Sequence, residues 1–282
     1  MIVFSYISTK GGVGKTTLAA NTGGILADMG LRVLLIDADI RPMLTKYFPI
    51  LQQGQDGFFD ILTRGSVTPL AISKTSVPGL DIVFSNIDIA DVMGWLSGRI
   101  DRDIRLRSSL RCPFVEENYD VVILDSQGAQ GVLQEASALA ADEIVSPVVP
   151  EVLSVREFRD GTIELYSRLH QSRVTPGPLR AVINRMARTK DSKEMVLAMR
   201  TDQRSVGISG RVNVLNTVIP AAKAYTEAAT KQIPVHQHEY KKRDGISANE
   251  ALHQLVWELM PTMTGMYAKT RWETNGSEVT HG

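Results

Sequence analysis

The stretch YISTKGGVGKTTLAANTGG (residues 6–24) decides the fold. Its glycines follow an apolar run, MIVFSYIS (1–8), which is typical of a buried strand. They precede TTLAANTGGILADMG (16–30), whose apolar spacing predicts a helix that ends at Gly30. A glycine-rich loop between a strand and a helix exposes consecutive backbone N–H groups at the positive end of the helix dipole. The stretch therefore predicts a phosphate-binding loop.

The residue types in this loop suit a nucleoside triphosphate bound with Mg²⁺. Glycine lets backbone approach phosphate oxygens without a Cβ clash. Lys15 is expected to place its ammonium against the β- and γ-phosphates, and Thr16 to offer its hydroxyl to Mg²⁺. The predicted nucleotide-binding residues of the loop are Gly11, Gly12, Val13, Gly14, Lys15, Thr16 and Thr17.

Two further apolar runs end in acids, LRVLLIDAD (31–39) and YDVVILDS (119–126), and both are predicted strands. Strand and helix patterns alternate along the rest of the chain. This alternation predicts an α/β fold with a mostly parallel central sheet and helices on both faces. We expect helices at 56–65, 96–111, 154–171, 191–204, 221–232 and 247–268, the last interrupted by Pro261, and strands at 80–86, 179–185 and 216–220. Residues 133–149 are expected to form a helix followed by a strand. Residues 1–268 are interpreted as one domain built on the phosphate-binding loop, and the polar residues 269–282 as a disordered tail.

Composition limits the classes of function. The 282 residues contain 31 Lys+Arg and 31 Asp+Glu, so any nucleic acid binding must rest on a local patch. The single cysteine, Cys112, excludes an internal disulfide and a cysteine-rich metal site, and favours a reducing cytoplasm. The sequence has neither an uninterrupted run of 18 apolar residues nor a signal-peptide pattern, so no membrane partner is expected.

The motif KGGVGKTT (10–17) has a lysine ahead of the glycines and resembles the deviant Walker A motif of the ParA/MinD family of P-loop ATPases. The resemblance implies that Lys10 reaches across a homodimer to the nucleotide of the other subunit. A cation in that place would help neutralise the γ-phosphate as it leaves. The resemblance thus implies ATP hydrolysis in a dimer closed over two ATP molecules.

Other segments resemble further motifs of the family. VLLIDADIRP (33–42) resembles Walker A′, which implies that Asp37 lies near Mg²⁺ and that Asp39 orients or activates the attacking water. YDVVILDSQG (119–128) resembles Walker B and implies that Asp125 contacts Mg²⁺ through water. VINR (182–185) resembles the strand whose Asn meets the adenine, which implies that role for Asn184. TVIPAAKAYTEAATKQIPVHQ (217–237) resembles the C-terminal segment of ParA proteins and implies that Pro220 lies near the base.

The resemblance spans most of residues 1–240 and is closest to ParA (Soj-like) partition proteins of plasmids and integrative conjugative elements. It implies an ATP-dependent dimer that binds DNA non-specifically, a ParB-like centromere-binding partner, and a nucleoid-associated cytoplasmic location. Two segments depart from the family pattern. Ile40-Arg41 replaces a usual Pro-Gln, and Ser126-Gln127-Gly128 replaces Thr-Pro-Pro, so the hydrolysis rate and switch geometry stay open.

Two basic stretches are candidates for contacting DNA, and each also has the ordinary interpretation of a solvated face. One is Lys241-Lys242-Arg243; the other is the predicted helix at 96–111, which carries Arg99, Arg102, Arg105, Arg107 and Arg111. A C-terminal apolar stripe is expected to pack in the core rather than on a membrane, since it lacks flanking basic clusters. It consists of Leu252, Leu255, Val256, Leu259, Met263 and Met266.

Two alternative functions remain. One is a MinD-like positioning ATPase that acts on a membrane or protein scaffold. The other is a small-molecule or protein-modifying enzyme built on the same loop, which would give Lys10 no role.

Overall fold

The computed structural model describes residues 1–128, 131–172, 174–202, 210–239 and 244–268, leaving out the side chains of residues 89–91, 93 and 202. The predicted tail (269–282) and the basic run Lys241-Lys242-Arg243 lie outside these ranges.

The described residues form one sheet of nine strands. The strands are β1 (Ile2–Tyr6), β2 (Val33–Ala38), β3 (Ile50–Gln52), β4 (Ser73–Thr75), β5 (Leu80–Val83), β6 (Val121–Ser126), β7 (Glu143–Val148), β8 (Leu179–Met186) and β9 (Val212–Pro220). Their order across the sheet is β3-β4-β5-β2-β6-β1-β7-β8-β9. The pairs β3–β4 and β4–β5 are antiparallel, and the other six pairs are parallel. The predicted mostly parallel sheet is confirmed.

Helices cover both faces of this sheet. They are α1 (Lys15–Asp28), α2 (Phe58–Arg64), α3 (Ile89–Ser97), α4 (Arg102–Leu110), α5 (Pro113–Asn118), α6 (Val132–Ala140), α7 (Val152–Glu157), α8 (Glu164–His170), α9 (Lys190–Asp202), α10 (Ala224–Thr230), α11 (Val235–His238) and α12 (Ala248–Leu259). One buried cluster joins α1, α10, α11 and α12 to the sheet, and a second joins α2, α3, α4 and α6 to the opposite face. Both layers bury apolar area, which is the main favourable term in folding.

The strand order brings the acid-ended strands beside the phosphate loop. β1 lies between β6 and β7, and the loop follows its carboxyl end. In the β1–β6 register Tyr6 lies opposite Asp125, and in the β2–β6 register Asp37 lies opposite Asp125. Ligands of open α/β sheets bind at the carboxyl ends of the strands, where the connections diverge. The fold therefore gathers the predicted site residues at one edge.

Several local features differ from the sequence expectation. The single helix expected at 96–111 is instead the end of α3 and the separate α4, with Gly98 in the connection. The helix expected at 154–171 contains a π-helical turn, Phe158–Ile163, between α7 and α8. The short antiparallel strands β3 and β4 were not predicted at all.

The arginines of residues 99–111 are engaged within the protein. Arg99 pairs with Asp101 at 2.6 Å, and Arg102 pairs with Asp103. Arg105 donates to the carbonyl oxygen of Leu62 at 2.8 Å. Arg107 donates to the carbonyl oxygen of Leu139, and Arg111 donates to the carbonyl oxygen of Met1. These contacts favour a structural role for this stretch.

The C-terminal stripe packs in the core, as expected, except at its end. Leu252 and Leu255 are fully buried and Met263 is 6% exposed, whereas Met266 is 45% exposed. A capping box starts α12, because the Ser247 hydroxyl accepts from the Glu250 N–H and the Glu250 carboxylate accepts from the Ser247 N–H. Among the described residues no helix has both the length and the apolar character needed to cross a bilayer.

Candidate active site

The loop that precedes α1 has the geometry of an anion cradle. Gly12 and Gly14 lie in the left-handed region, with φ of 77° and 95°, which glycine adopts at no steric cost. Across the described ranges, the backbone N–H groups of Gly11, Gly12, Val13 and Gly14 donate to no protein acceptor. Unsatisfied N–H groups at a helix N-terminus are the donors that bind phosphate.

The end of β8 holds the outer side of this loop. The Asn184 amide nitrogen donates to the carbonyl oxygen of Val13 at 2.7 Å. The Arg185 guanidinium donates to the carbonyl oxygen of Gly12 at 2.9 Å. A Cβ built on Gly14 would overlap the Asn184 amide, so the strand end and the loop are in direct contact.

Lys15 is the buried cation of the site. Its side chain is mostly enclosed, with 8% of the residue exposed. Burial lowers the pKa of Lys15, and the carboxylates of Asp125 and Asp39 oppose that effect. A Cβ built on Gly128 would lie 3.1 Å from the Lys15 Nζ, so the segment after β6 packs on the ammonium.

Two buried carboxyl groups lie behind the loop. The Thr16 hydroxyl donates to Asp125 Oδ2 at 2.5 Å, while Asp125 Oδ1 is buried without a partner among the described residues. Burial raises the pKa of Asp125 to about 7 and that of Asp37 to about 6. Asp37 accepts from both the N–H and the hydroxyl of Thr45, at 2.8 and 2.7 Å.

These oxygens fit Mg²⁺. The ion prefers hard oxygen ligands and keeps several waters or substrate phosphates rather than an all-protein cage. In the described part of the chain no three His, Cys, Asp or Glu residues converge in a way that could hold a metal by themselves. The unpartnered Asp125 oxygen and the Thr16 hydroxyl are therefore suited to a metal that arrives with phosphates.

A cavity of about 750 Å³ opens over the loop. The loop residues that line it are Gly11, Gly12, Gly14, Lys15, Thr16 and Thr17. Asp39 lines the same cavity, and its carboxylate accepts from the Arg41 N–H at 3.0 Å. This volume exceeds what a phosphate chain alone requires and leaves room for a water beside Asp39.

A second cavity of about 550 Å³ adjoins the first through Arg185 and Thr17. Asn184, Pro220 and Tyr225 line it, which brings together both residues expected at the adenine. Val13 is the exception among the expected cofactor residues, because its side chain is buried away from both cavities.

Lys10 does not line either cavity of its own chain. Over the described residues its ammonium forms no hydrogen bond or ion pair. The preceding residue is fixed instead, since the Thr9 N–H and hydroxyl both contact the Thr162 hydroxyl of the π-helical turn, at 3.2 and 3.1 Å.

Several residues that line the larger cavity have no site role that follows from the sequence alone. They are Ile40, Arg41, Met43, Lys46, Tyr47, Gln127, Gly128, Arg185 and Ala229. Among them, Ile40, Arg41, Gln127 and Gly128 lie in the two segments that depart from the family pattern. Their position after acid-ended strands was the available signal for placing them in the site.

A family model described as an AAA domain matches residues 1–172 of the chain. Among curated proteins, the virulence plasmid ParA family protein pGP5-D of Chlamydia psittaci is 35% identical over 159 residues, which is 55% of this chain and 60% of that protein. The sporulation initiation inhibitor protein Soj of Bacillus subtilis is 28% identical over 245 residues, covering 86% of this chain and 92% of Soj.

The fold also matches solved structures. The ATP complex of the McdA D38A variant from Cyanothece has a TM-score of 0.76 at 20% identity, and the match covers 92% of this chain and 96% of that one. At this identity the likeness concerns the fold alone.

Proposed function

Because the chain belongs to the family whose model is described as an AAA domain, and to the ParA/MinD family of P-loop ATPases, we propose that it binds ATP with Mg²⁺ and hydrolyses it. The ATP state is a homodimer that binds DNA without sequence preference, in the partition of a plasmid, mobile element or chromosome. The observation that carries the proposal is the cavity where Lys15, Asp39 and loop N–H groups without an acceptor among the described residues converge.

The residues of the two cavities, and the carboxyl groups behind the loop, each have a role in the proposal. The loop N–H groups and Lys15 bind the phosphates, and Asn184 and Pro220 contact the adenine. Thr16 and Asp125 hold Mg²⁺, with Asp37 close to it. Bound Mg²⁺ supplies positive charge to the β- and γ-phosphate oxygens. Asp39 orients the attacking water, which a carboxylate does by accepting a hydrogen bond from it.

Lys10 acts on the nucleotide of the partner subunit. Its ammonium has no hydrogen bond or ion pair with the residues that the structure describes, and Lys10 lines neither cavity of its own chain; both observations support this assignment. A positive charge aimed at the γ-phosphate stabilises the charge that develops there as the phosphoryl group leaves. ATP therefore favours the dimer, and loss of the γ-phosphate releases it.

The DNA contacts are assigned to Lys241, Lys242 and Arg243. The arginines of residues 99–111 are paired or bonded to backbone, so they are poorly placed to release counterions from DNA. A ParB-like partner that stimulates hydrolysis and a nucleoid-associated cytoplasmic location complete the proposal.

The test is binding of the purified protein to a duplex of arbitrary sequence in low salt, with ATP or with ADP. We expect binding with ATP only, and none for Lys15→Ala. The logarithm of affinity should fall linearly with the logarithm of salt concentration, by a slope of about 0.9 per phosphate contact. Replacing Lys241, Lys242 and Arg243 with Gln should flatten that slope, whereas the control Arg102→Gln should not.

Two outcomes would redirect the proposal. Binding to anionic liposomes with ATP, but not to the duplex, would indicate a MinD-like positioning ATPase. ATP turnover that requires an added small substrate would indicate a metabolic or modifying enzyme.

A further inference from the structure

We infer that Arg185 is a positioning residue that, together with Asn184, orients the peptide groups of the phosphate loop toward the bound phosphates. The inference rests on the proposed function, because it concerns how the same site binds its nucleotide. Its starting point is the backbone of Arg185, whose φ is 53°. A non-glycine residue in the left-handed region carries backbone strain. Such residues persist where the surrounding structure holds them in place, and they cluster at active sites and ligand-binding sites.

The strand is irregular at this point. The β8–β9 register shifts between Ile183 and Met186, so Arg185 leaves the regular ladder. Such irregularities re-aim a side chain at the rim of a sheet. The re-aimed guanidinium reaches the Gly12 carbonyl, and the preceding Asn184 reaches the Val13 carbonyl.

These two hydrogen bonds fix the orientation of two whole peptide groups, including the N–H of the residue that follows each carbonyl. In a trans peptide the C=O of one residue and the N–H of the next point in opposite directions. Holding the Gly12 carbonyl toward Arg185 therefore turns the Val13 N–H to the other side. Holding the Val13 carbonyl toward Asn184 turns the Gly14 N–H the same way.

Both N–H groups are among those with no protein acceptor in the described part of the chain. Without the two bonds the glycines would rotate easily and could present carbonyl oxygens, which repel phosphate. Arg185 thus acts through the loop and not through the ligand. Because Arg185 also lines both cavities, direct attraction of the anion is the competing explanation.

The test measures binding of ATP and of inorganic tripolyphosphate by calorimetry, in the full-length protein. Arg185→Asn tolerates the left-handed backbone but cannot reach the loop, and Arg185→Gly relieves the strain. We expect either variant to bind both ligands roughly tenfold more weakly, the size of one charge-assisted hydrogen bond. The loss should change little between low and high salt, because enclosed contacts in the loop are screened much less than charges exposed to solvent.

Two matched controls separate the alternatives. Gln232 is the other described non-glycine residue with a positive φ, 54°, so Gln232→Gly should match Arg185→Gly in unfolding temperature but leave binding unchanged. Lys46 is an exposed cation of the larger cavity, and the loss from Lys46→Gln should fade as salt rises.

The inference is overturned if the Arg185 variants bind tripolyphosphate as tightly as wild type, if their loss fades with salt as that of Lys46→Gln does, or if the loss is confined to ATP. A wild type that binds neither ligand would overturn it together with the proposed function. A wild type that binds tripolyphosphate, loses that binding in Arg185→Asn and hydrolyses no ATP would uphold the inference and refute the proposed function.

Discussion

Gly161→Ala should impair ATP-dependent dimerisation while leaving ATP binding to the monomer largely intact. Gly161 lies in the π-helical turn and packs against Thr9, the residue before Lys10. A Cβ on Gly161 would overlap the Thr9 hydroxyl and lie 3.1 Å from the Thr9 Cβ. Since carbon atoms in contact are about 3.5–4.0 Å apart, Thr9 must retreat by about 0.5–1 Å.

That displacement has a calculable cost. It breaks the two contacts between Thr9 and Thr162, which contribute a net ~1–3 kcal/mol to stability together. Lys10 moves with Thr9, and a misplacement of about 1 Å in a charge that acts at close range can cost on the order of 100-fold. The three atoms nearest to the new methyl group belong to Glu157 and Thr9 and not to the loop from Gly11 to Thr17, so monomer binding should change little.

The assay combines sedimentation velocity with a non-hydrolysable ATP analogue and a separate titration of a fluorescent ATP derivative. Gly94→Ala is the matched control, because a Cβ there meets nothing within 4 Å. Thr162→Val should reproduce part of the defect, and Thr162→Ser, which keeps the hydroxyl, should not. Wild-type dimer affinity in a folded Gly161→Ala protein would refute the reasoning.

Three further changes test single groups. Lys15→Ala should abolish ATP binding, measured by titration of the fluorescent derivative, since it removes the buried ammonium of the cavity; retained binding would contradict its role. Asp39→Ala should bind ATP but hydrolyse it far more slowly, so that duplex binding persists after excess nucleotide is removed, and wild-type turnover would exclude Asp39 as the water-orienting group. Asp125→Asn should stabilise the nucleotide-free protein. The pKa of Asp125 is about 7 in the folded protein and 3.8 ordinarily, so the wild type loses stability as pH rises from about 4 to 7, and Asn avoids that loss. The gain in free energy of unfolding, measured in urea, should be near zero at pH 4 and on the order of 2–4 kcal/mol above pH 7; a gain that is independent of pH would contradict the assignment.

The sequence predicted the elements whose patterns are strong. The apolar runs that became β1, β2 and β6 are buried on both faces, so their composition alone distinguishes them. The glycines and Lys15 predicted the phosphate-binding loop, because few other loops need this combination of residues. Strands β3 and β4 have three residues each, which is too few to show an alternation of apolar and polar side chains.

The rest depended on contacts between distant parts of the chain. Asn184 is 171 positions from its partner Val13, and Arg185 is 173 positions from Gly12. A local sequence pattern therefore cannot predict either hydrogen bond. The same holds for Arg105, which binds a carbonyl of α2 43 positions away. An arginine-rich stretch has the same composition whether its side chains face DNA or donate hydrogen bonds to backbone carbonyls. Only the tertiary structure distinguishes these two cases.

The most direct test of a lysine that acts across a dimer is the molecular mass by light scattering, with a non-hydrolysable ATP analogue or with ADP, for wild type and for Lys10→Ala. We expect twice the chain mass of 31.0 kDa only for wild type with the ATP analogue. We expect Lys10→Ala to bind the analogue and remain a monomer. A Lys10→Ala protein that reaches the dimer mass, or a wild type that stays monomeric when saturated with the analogue, would contradict the role of Lys10 and the dimer built on it.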